Sequence, residues 1–281
     1  MGRLSYTWNM MGASWSVLRQ NKGLIVLPLI SGFCCLLVMV SFAIPIFLAG
    51  DAILPNENQS FAQQALFYAI LFLFYFVNYF IIVFFNSAVI SCAILRMQGG
   101  NPTVGDGLRM AAARLPFIAG WAFLSATVGL ILRIIEDRSE RVGRFVAGLL
   151  GMAWTIVSFL VVPILVVEKK GPIEALKEST ALLKKTWGEQ LVSNFGFGLI
   201  FFVLAIPGIV LVVVGGVMIA SASAVLGGLL IAIGVIYFVL LGLVQSTLQT
   251  IFQAALYLYA RDQQAPAGFD SQMLSGAIAR K

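Results

Sequence analysis

Residues 190–260 run for 71 positions without one Asp, Glu, Lys or Arg. Four further stretches, 24–50, 58–95, 115–132 and 145–167, are equally free of charge. A helix needs about 20 apolar residues to cross a bilayer, so the first four stretches each hold one crossing and the longest holds two. Charged residues make up only 11 % of the 281 positions, against 60 % hydrophobic. A soluble domain carries about 25 % charge. A soluble globular protein, a disordered chain and an ordinary nucleic-acid-binding domain are therefore excluded. The apolar runs are continuous rather than alternating, which excludes a transmembrane β-barrel.

The expected fold is an all-α polytopic helix bundle of six spans, at about 24–50, 61–95, 115–135, 144–167, 189–215 and 223–260. Gly215-Gly216 and Ser221-Ala222-Ser223 are the expected turn between the last two. The first apolar run, 27 residues long, exceeds the core of a secretory signal and reads as a retained span. Fourteen Lys and Arg fall on one side of this layout and four, all within 133–144, on the other. The positive-inside rule then puts both termini in the cytoplasm.

The segments preceding each pair of spans share a pattern. Trp8, Met11, Trp15 and Leu18 recur at helical spacing, as do Ile173, Leu176, Thr180 and Leu183, and an offset of 165 superimposes the two sets. Residues 103–116 fit more weakly through Leu108, Arg109 and Leu115. Asn101-Pro102 and Gly171-Pro172 place proline near a helix start, where its missing N–H costs least. The expected plan is three pseudo-repeats, each an interfacial amphipathic helix followed by a transmembrane hairpin, at about 1–98, 99–170 and 171–264. A flexible cytoplasmic tail is expected over 265–281. The cations Arg19, Lys22, Arg109, Arg114, Lys177, Lys184 and Lys185 in the linking segments are candidate contacts for anionic lipid head groups.

The run Val162-Pro163-Ile164-Leu165-Val166-Val167-Glu168, followed by Gly171-Pro172-Ile173-Glu174-Ala175-Leu176-Lys177-Glu178-Ser179, carries a proline, a glutamate, an Ala-Leu pair and a serine in fixed order. It resembles the membrane domain found fused to some glycerophosphodiester phosphodiesterases and in related bacterial inner-membrane proteins, a resemblance that implies the bacterial inner membrane as the location. The opening residues Trp8, Ser14-Trp15, Leu18 and Pro28 resemble the start of a six-span family, domain of unknown function 6159. These resemblances imply a membrane domain and no chemistry, because the catalytic phosphodiesterase barrel has no counterpart in this sequence.

Catalytic constellations are missing from the sequence. There is no histidine, the usual general base and metal ligand near neutral pH. Cys34, Cys35 and Cys92 lie in apolar runs and read as small hydrophobes, not as a disulfide or zinc site. No phosphate-binding loop or serine elbow is present. Asp106, between two glycines, has no second acid within a span with which to share a proton. Neither catalytic residues nor a metal or cofactor are expected.

Polar side chains inside the spans are expected to face the bundle interior. Asn78, Asn86, Asn194, Gln245, Gln249 and Gln253 are the candidates, either as interhelical glue or as the lining of a path. Small-residue rows, Gly143/Ala147/Gly151/Thr155 and Ala220/Ala224/Gly228/Ala232, mark close helix contacts within the chain or between copies. The leading functional expectation is a non-enzymatic scaffold or lipid-interacting module. The alternative is a transporter or channel for a small neutral or lipidic substrate. The partners implied are membrane lipids, together with a homo-oligomer or membrane-protein contact that the small-residue rows would suit, and no nucleic acid.

Overall fold

Apolar runs of this length satisfy their own backbone only as helices. The computed structural model, which describes residues 3–49, 60–138, 142–187, 197–221, 223–271 and 274, is all-helical over those residues. Ten α-helices follow one another: α1 (Arg3–Gln20), α2 (Val26–Ala49), α3 (Phe61–Met97), α4 (Val104–Ala112), α5 (Leu115–Arg138), α6 (Val142–Val157), α7 (Val161–Glu168), α8 (Pro172–Trp187), α9 (Phe197–Ser221) and α10 (Ala224–Asp262). A short 3₁₀ turn, Lys22–Ile25, joins α1 to α2. Six segments are long and apolar enough to cross a membrane, α6 and α7 together making one of them. Each pair of spans is preceded by a further helix: α1, α4 and α8.

Local chemistry sets several boundaries. Ser60 caps α3 in a reciprocal box with Gln63, whose Oε1 accepts from the Ser60 N–H at 2.9 Å. Thr103 and Asp106 form the same box at the start of α4, where Asp106 accepts from the Thr103 N–H at 2.9 Å and from its hydroxyl at 2.7 Å. Ser223 caps α10 by accepting from the Leu226 N–H. Pro172 opens α8.

The fifth span departs from its expected limits. It runs through Gly215-Gly216 to Ser221, and α10 starts three residues later. Gly215 lies at a close approach of α10, where a Cβ on it would stand 2.8 Å from the Gly227 carbonyl oxygen, whereas a Cβ on Gly216 would meet nothing.

α3 and α10 have 37 and 39 residues, about 55–58 Å at 1.5 Å per residue, against a hydrocarbon core of about 30 Å. Their two halves differ in surroundings. Up to Ser246, only Gly227 and Gly234 of α10 are buried, whereas from Thr247 to Ala260 nearly every residue is. All buried residues of α3 lie at or beyond Val83. The common core therefore sits at the end where α1, α4, α7 and α8 gather. Leu24, Leu27, Ile90, Ile118, Leu160, Ile164, Leu165, Leu183, Leu248, Ile251 and Leu256 are completely enclosed there. The opposite halves of the long helices, with α2, α6 and α9, present large apolar side chains such as Phe33, Leu149, Val213 and Ile236 outward. Water would not tolerate that surface; acyl chains would.

Two expectations change here. Among the described residues of the expected tail, Phe269 and Leu274 are buried in the common core. Residues 272–273 and 275–281 of that tail lie outside the described residues. Of the small-residue rows, Gly143 and Gly151 face α5, close to Ile135 and Leu132. Ala220, Ala224, Gly228 and Ala232 are all exposed, and a Cβ on Gly228 would meet nothing. The α9–α10 contact is made one residue earlier in phase, by Gly227 and Gly234 against Gly215 and Gly208.

Candidate functional site

The densest set of polar contacts surrounds the interruption between α6 and α7. Pro163 has no N–H to give the carbonyl four residues before it, that of Phe159, and its ring crowds that carbonyl. The helix opens over Ser158–Leu160, and neighbouring elements take up the backbone groups. Gln253 Nε2 of α10 donates to the Phe159 carbonyl. Ser179 Oγ of α8 donates to the Val157 carbonyl at 2.7 Å and accepts from the Leu160 N–H at 3.1 Å. Ser179 is fully buried, so its hydroxyl has to be matched in this way. Two side chains from two helices thus close the break.

About two turns further, α7 ends at Glu168, and Lys169 takes a left-handed conformation (φ 59°) that turns the chain toward α8. Arg114 Nε donates to the Val166 carbonyl at 3.1 Å, satisfying one of the last acceptors of α7. The Glu168 carboxylate accepts from the Tyr257 hydroxyl at 2.8 Å and pairs with Lys170 at 2.7 Å. Lys170 also pairs with Glu178 of α8. The bonds to Glu168 and then Glu178 hold the Lys170 ammonium above the ordinary lysine value. Arg261 lies 5.5 Å from the centre of the Tyr257 ring, in cation–π geometry. α7, α8 and α10 are tied together by donors and acceptors that answer one another.

The motif residues of the sequence converge on this clamp. Pro163 opens the break, Glu168 receives Tyr257, Ala175 is fully buried, and Ser179 closes the break. Sequence reasoning missed Tyr257, which gives no signal inside an apolar run. The Glu168 side chain, just past a charge-free stretch, is only 18 % exposed. The position of Glu168 directly after the apolar run Val161–Val167 was the available clue.

The polar residues of the spans do not converge on one point. Asn78 is half-buried and donates to the Phe74 carbonyl of its own helix at 2.8 Å. Asn86 and Gln245 are half-buried, Gln249 is exposed, and Gln253 serves the helix break. Among the described residues no hydrogen bond joins the asparagines of α3 to the glutamines of α10. Asn194 lies outside the described residues. Hydroxyls in the spans, such as Ser87, Ser91, Thr247 and Thr250, donate to carbonyls one turn back.

The candidate head-group cations divide by surroundings. Arg19, Lys22, Lys177, Lys184 and Lys185 are exposed, and none pairs with an acid among the described residues. Arg109 is exposed beside Asp106, whose carboxyl is held below the usual carboxylate range by the two Thr103 bonds and by that guanidinium. Arg114 is half-buried against the end of α7. Among the described residues no three His, Cys, Asp or Glu side chains lie together as a metal site would require.

A family model covers residues 65–269, about three-quarters of the sequence, including every residue of the clamp. The chain belongs to DUF6159, a family of unknown function. No curated protein and no solved structure matches it. For this DUF6159 member, function must be argued from the arrangement of its own side chains.

Proposed function

We propose that this DUF6159 protein is a non-enzymatic integral protein of the bacterial inner membrane that acts as a lipid-interacting module, with both termini in the cytoplasm. The reading rests on one contrast. Arg19, Lys22, Lys177, Lys184 and Lys185 of α1, the 3₁₀ turn and α8 stand exposed without acidic partners among the described residues, whereas Arg133 and Arg144, at the opposite ends of the spans, lie against acids. There Arg133 pairs with Glu136 and with Asp137 at 3.1 Å, and Arg144 approaches Glu136. Unpaired cations beside an apolar belt attract anionic head groups, at about 1 kcal/mol per Lys or Arg near the surface. The order helix–hairpin, repeated three times, supports reading α1, α4 and α8 as interfacial amphipathic collars of three pseudo-repeats. The clamp then fixes the third collar helix to the bundle through Ser179 and Glu178.

The test is thermal unfolding of the full-length protein in nanodiscs of phosphatidylglycerol or phosphatidylcholine. Wild-type protein is expected to unfold at a higher temperature in phosphatidylglycerol. The triple change Lys177→Glu, Lys184→Glu, Lys185→Glu should abolish that difference, a loss of about 3 kcal/mol at one per lysine. An equal midpoint in the two lipids for the wild type would refute the reading.

A further inference from the structure

Between α1 and the last hairpin lies a groove of about 560 Å³. Trp8, Gly12 and Trp15 form one wall; Phe201 of α9 with Leu240 and Val244 of α10 form the other. Its lining is almost wholly apolar. The one hydroxyl in its wall, that of Tyr237, already donates to the Leu204 carbonyl, near the point where Pro207 interrupts the α9 ladder. A ligand here finds no polar partner deep in the groove, so its inserted part must be apolar.

We propose that this groove holds one acyl chain of a membrane phospholipid, with the lipid phosphate at Arg19. Three observations support that occupant. Both α9 and α10 are membrane-crossing helices, and beside the groove they turn Phe202, Val203 and Val239 outward, so the groove opens on lipid and not on water. Trp8, Gly12, Trp15 and Arg19 follow the i, i+4, i+7, i+11 spacing of a single helix face, which places a guanidinium one turn beyond the indoles. Exposed indoles with an apolar body and an N–H tip suit the boundary between chains and head groups. Gly12 supplies the space. A Cβ there would meet nothing within 4 Å, although glycine inside a helix is less stable than alanine by about 0.5–1 kcal/mol. The inference deepens the lipid-interacting reading and rests on it, but it concerns chain capture and phosphate contact, not the net charge of the head group.

Retained phospholipid is to be measured by native mass spectrometry of the full-length protein. The protein is extracted in mild detergent, delipidated, and given dioleoyl phosphatidylglycerol or dioleoyl phosphatidylcholine in separate arms. Gly12→Leu adds a side chain inside the groove and raises helix propensity; Leu240→Trp fills the groove from the opposite wall. Each is expected to lower retention about tenfold, as for the loss of roughly two buried methylenes. Gly228→Leu, on an open outward face of α10, should leave it unchanged. Arg19→Gln should lower retention of both lipids alike. Equal retention by wild type, Gly12→Leu and Leu240→Trp overturns the groove. Retention that falls with groove filling but shows no preference for phosphatidylglycerol supports the groove while counting against the basic-collar reading, so the two fail separately.

Discussion

Gly227→Leu is expected to force the last two spans apart and to cost about 3 kcal/mol in thermal unfolding of the detergent-solubilised protein. A Cβ at this position would lie 2.4 Å from the Gly215 carbonyl oxygen and 2.7 Å from the Ile219 backbone nitrogen. Backbone atoms cannot rotate aside, so one helix has to move. The adjacent Gly228→Leu is the control: its Cβ meets nothing, and the exchange should be neutral or slightly stabilising. Equal effects at the two positions would mean that α9 and α10 do not pack in this register.

The second large effect concerns the helix break. Gln253→Leu removes the donor to the Phe159 carbonyl and is expected to cost about 1 kcal/mol, the net worth of a hydrogen bond at a half-buried site. Pro163→Ala returns a backbone N–H to the position four residues after Phe159. In that background Gln253→Leu should cost much less. A double-mutant cycle read by thermal unfolding isolates the coupling. Additive costs would show that Gln253 does not compensate for the proline.

Six crossings were legible because charge-free length is a property of the chain alone. The preceding helices α1, α4 and α8 were legible from apolar spacing and proline position. Helix phase was not. Small residues recur in neighbouring registers around 220–234, and whether Gly227 or Gly228 meets α9 is a rotation of about 100°. That rotation depends on the partner helix, where Gly208 accommodates the Tyr237 and Phe238 rings. The end of the fifth span was misplaced for a related reason: a Gly-Gly pair that resembles a turn instead holds, at Gly215, a point of close helix approach.

The clamp was partly legible. Pro163 marks a break in any membrane helix, but the residues that satisfy the opened backbone come from positions 179 and 253. Only the fold brings those together. The glutamine row on α10 shows the same limit. Gln245, Gln249 and Gln253 share a spacing but not an environment, since Gln249 is exposed while Gln253 reaches the break between α6 and α7. Periodicity groups residues by angle; it does not show which neighbour, if any, stands opposite.

Lipid covers the outward faces of the first half of α10, which α9 packs on one side, and protein encloses most of the second half. Spin-label accessibility along this one helix tests it directly, in a full-length chain with Cys34, Cys35 and Cys92 replaced by alanine and single labels introduced in reconstituted bilayers. Labels at Leu229, Ile236 and Leu240 should collide with oxygen and not with a water-soluble nickel chelate. Labels at Ile251 and Leu256 should be shielded from both, and one at Gln264 should meet the chelate. Nickel collisions at Leu229, Ile236 and Leu240 would contradict the account.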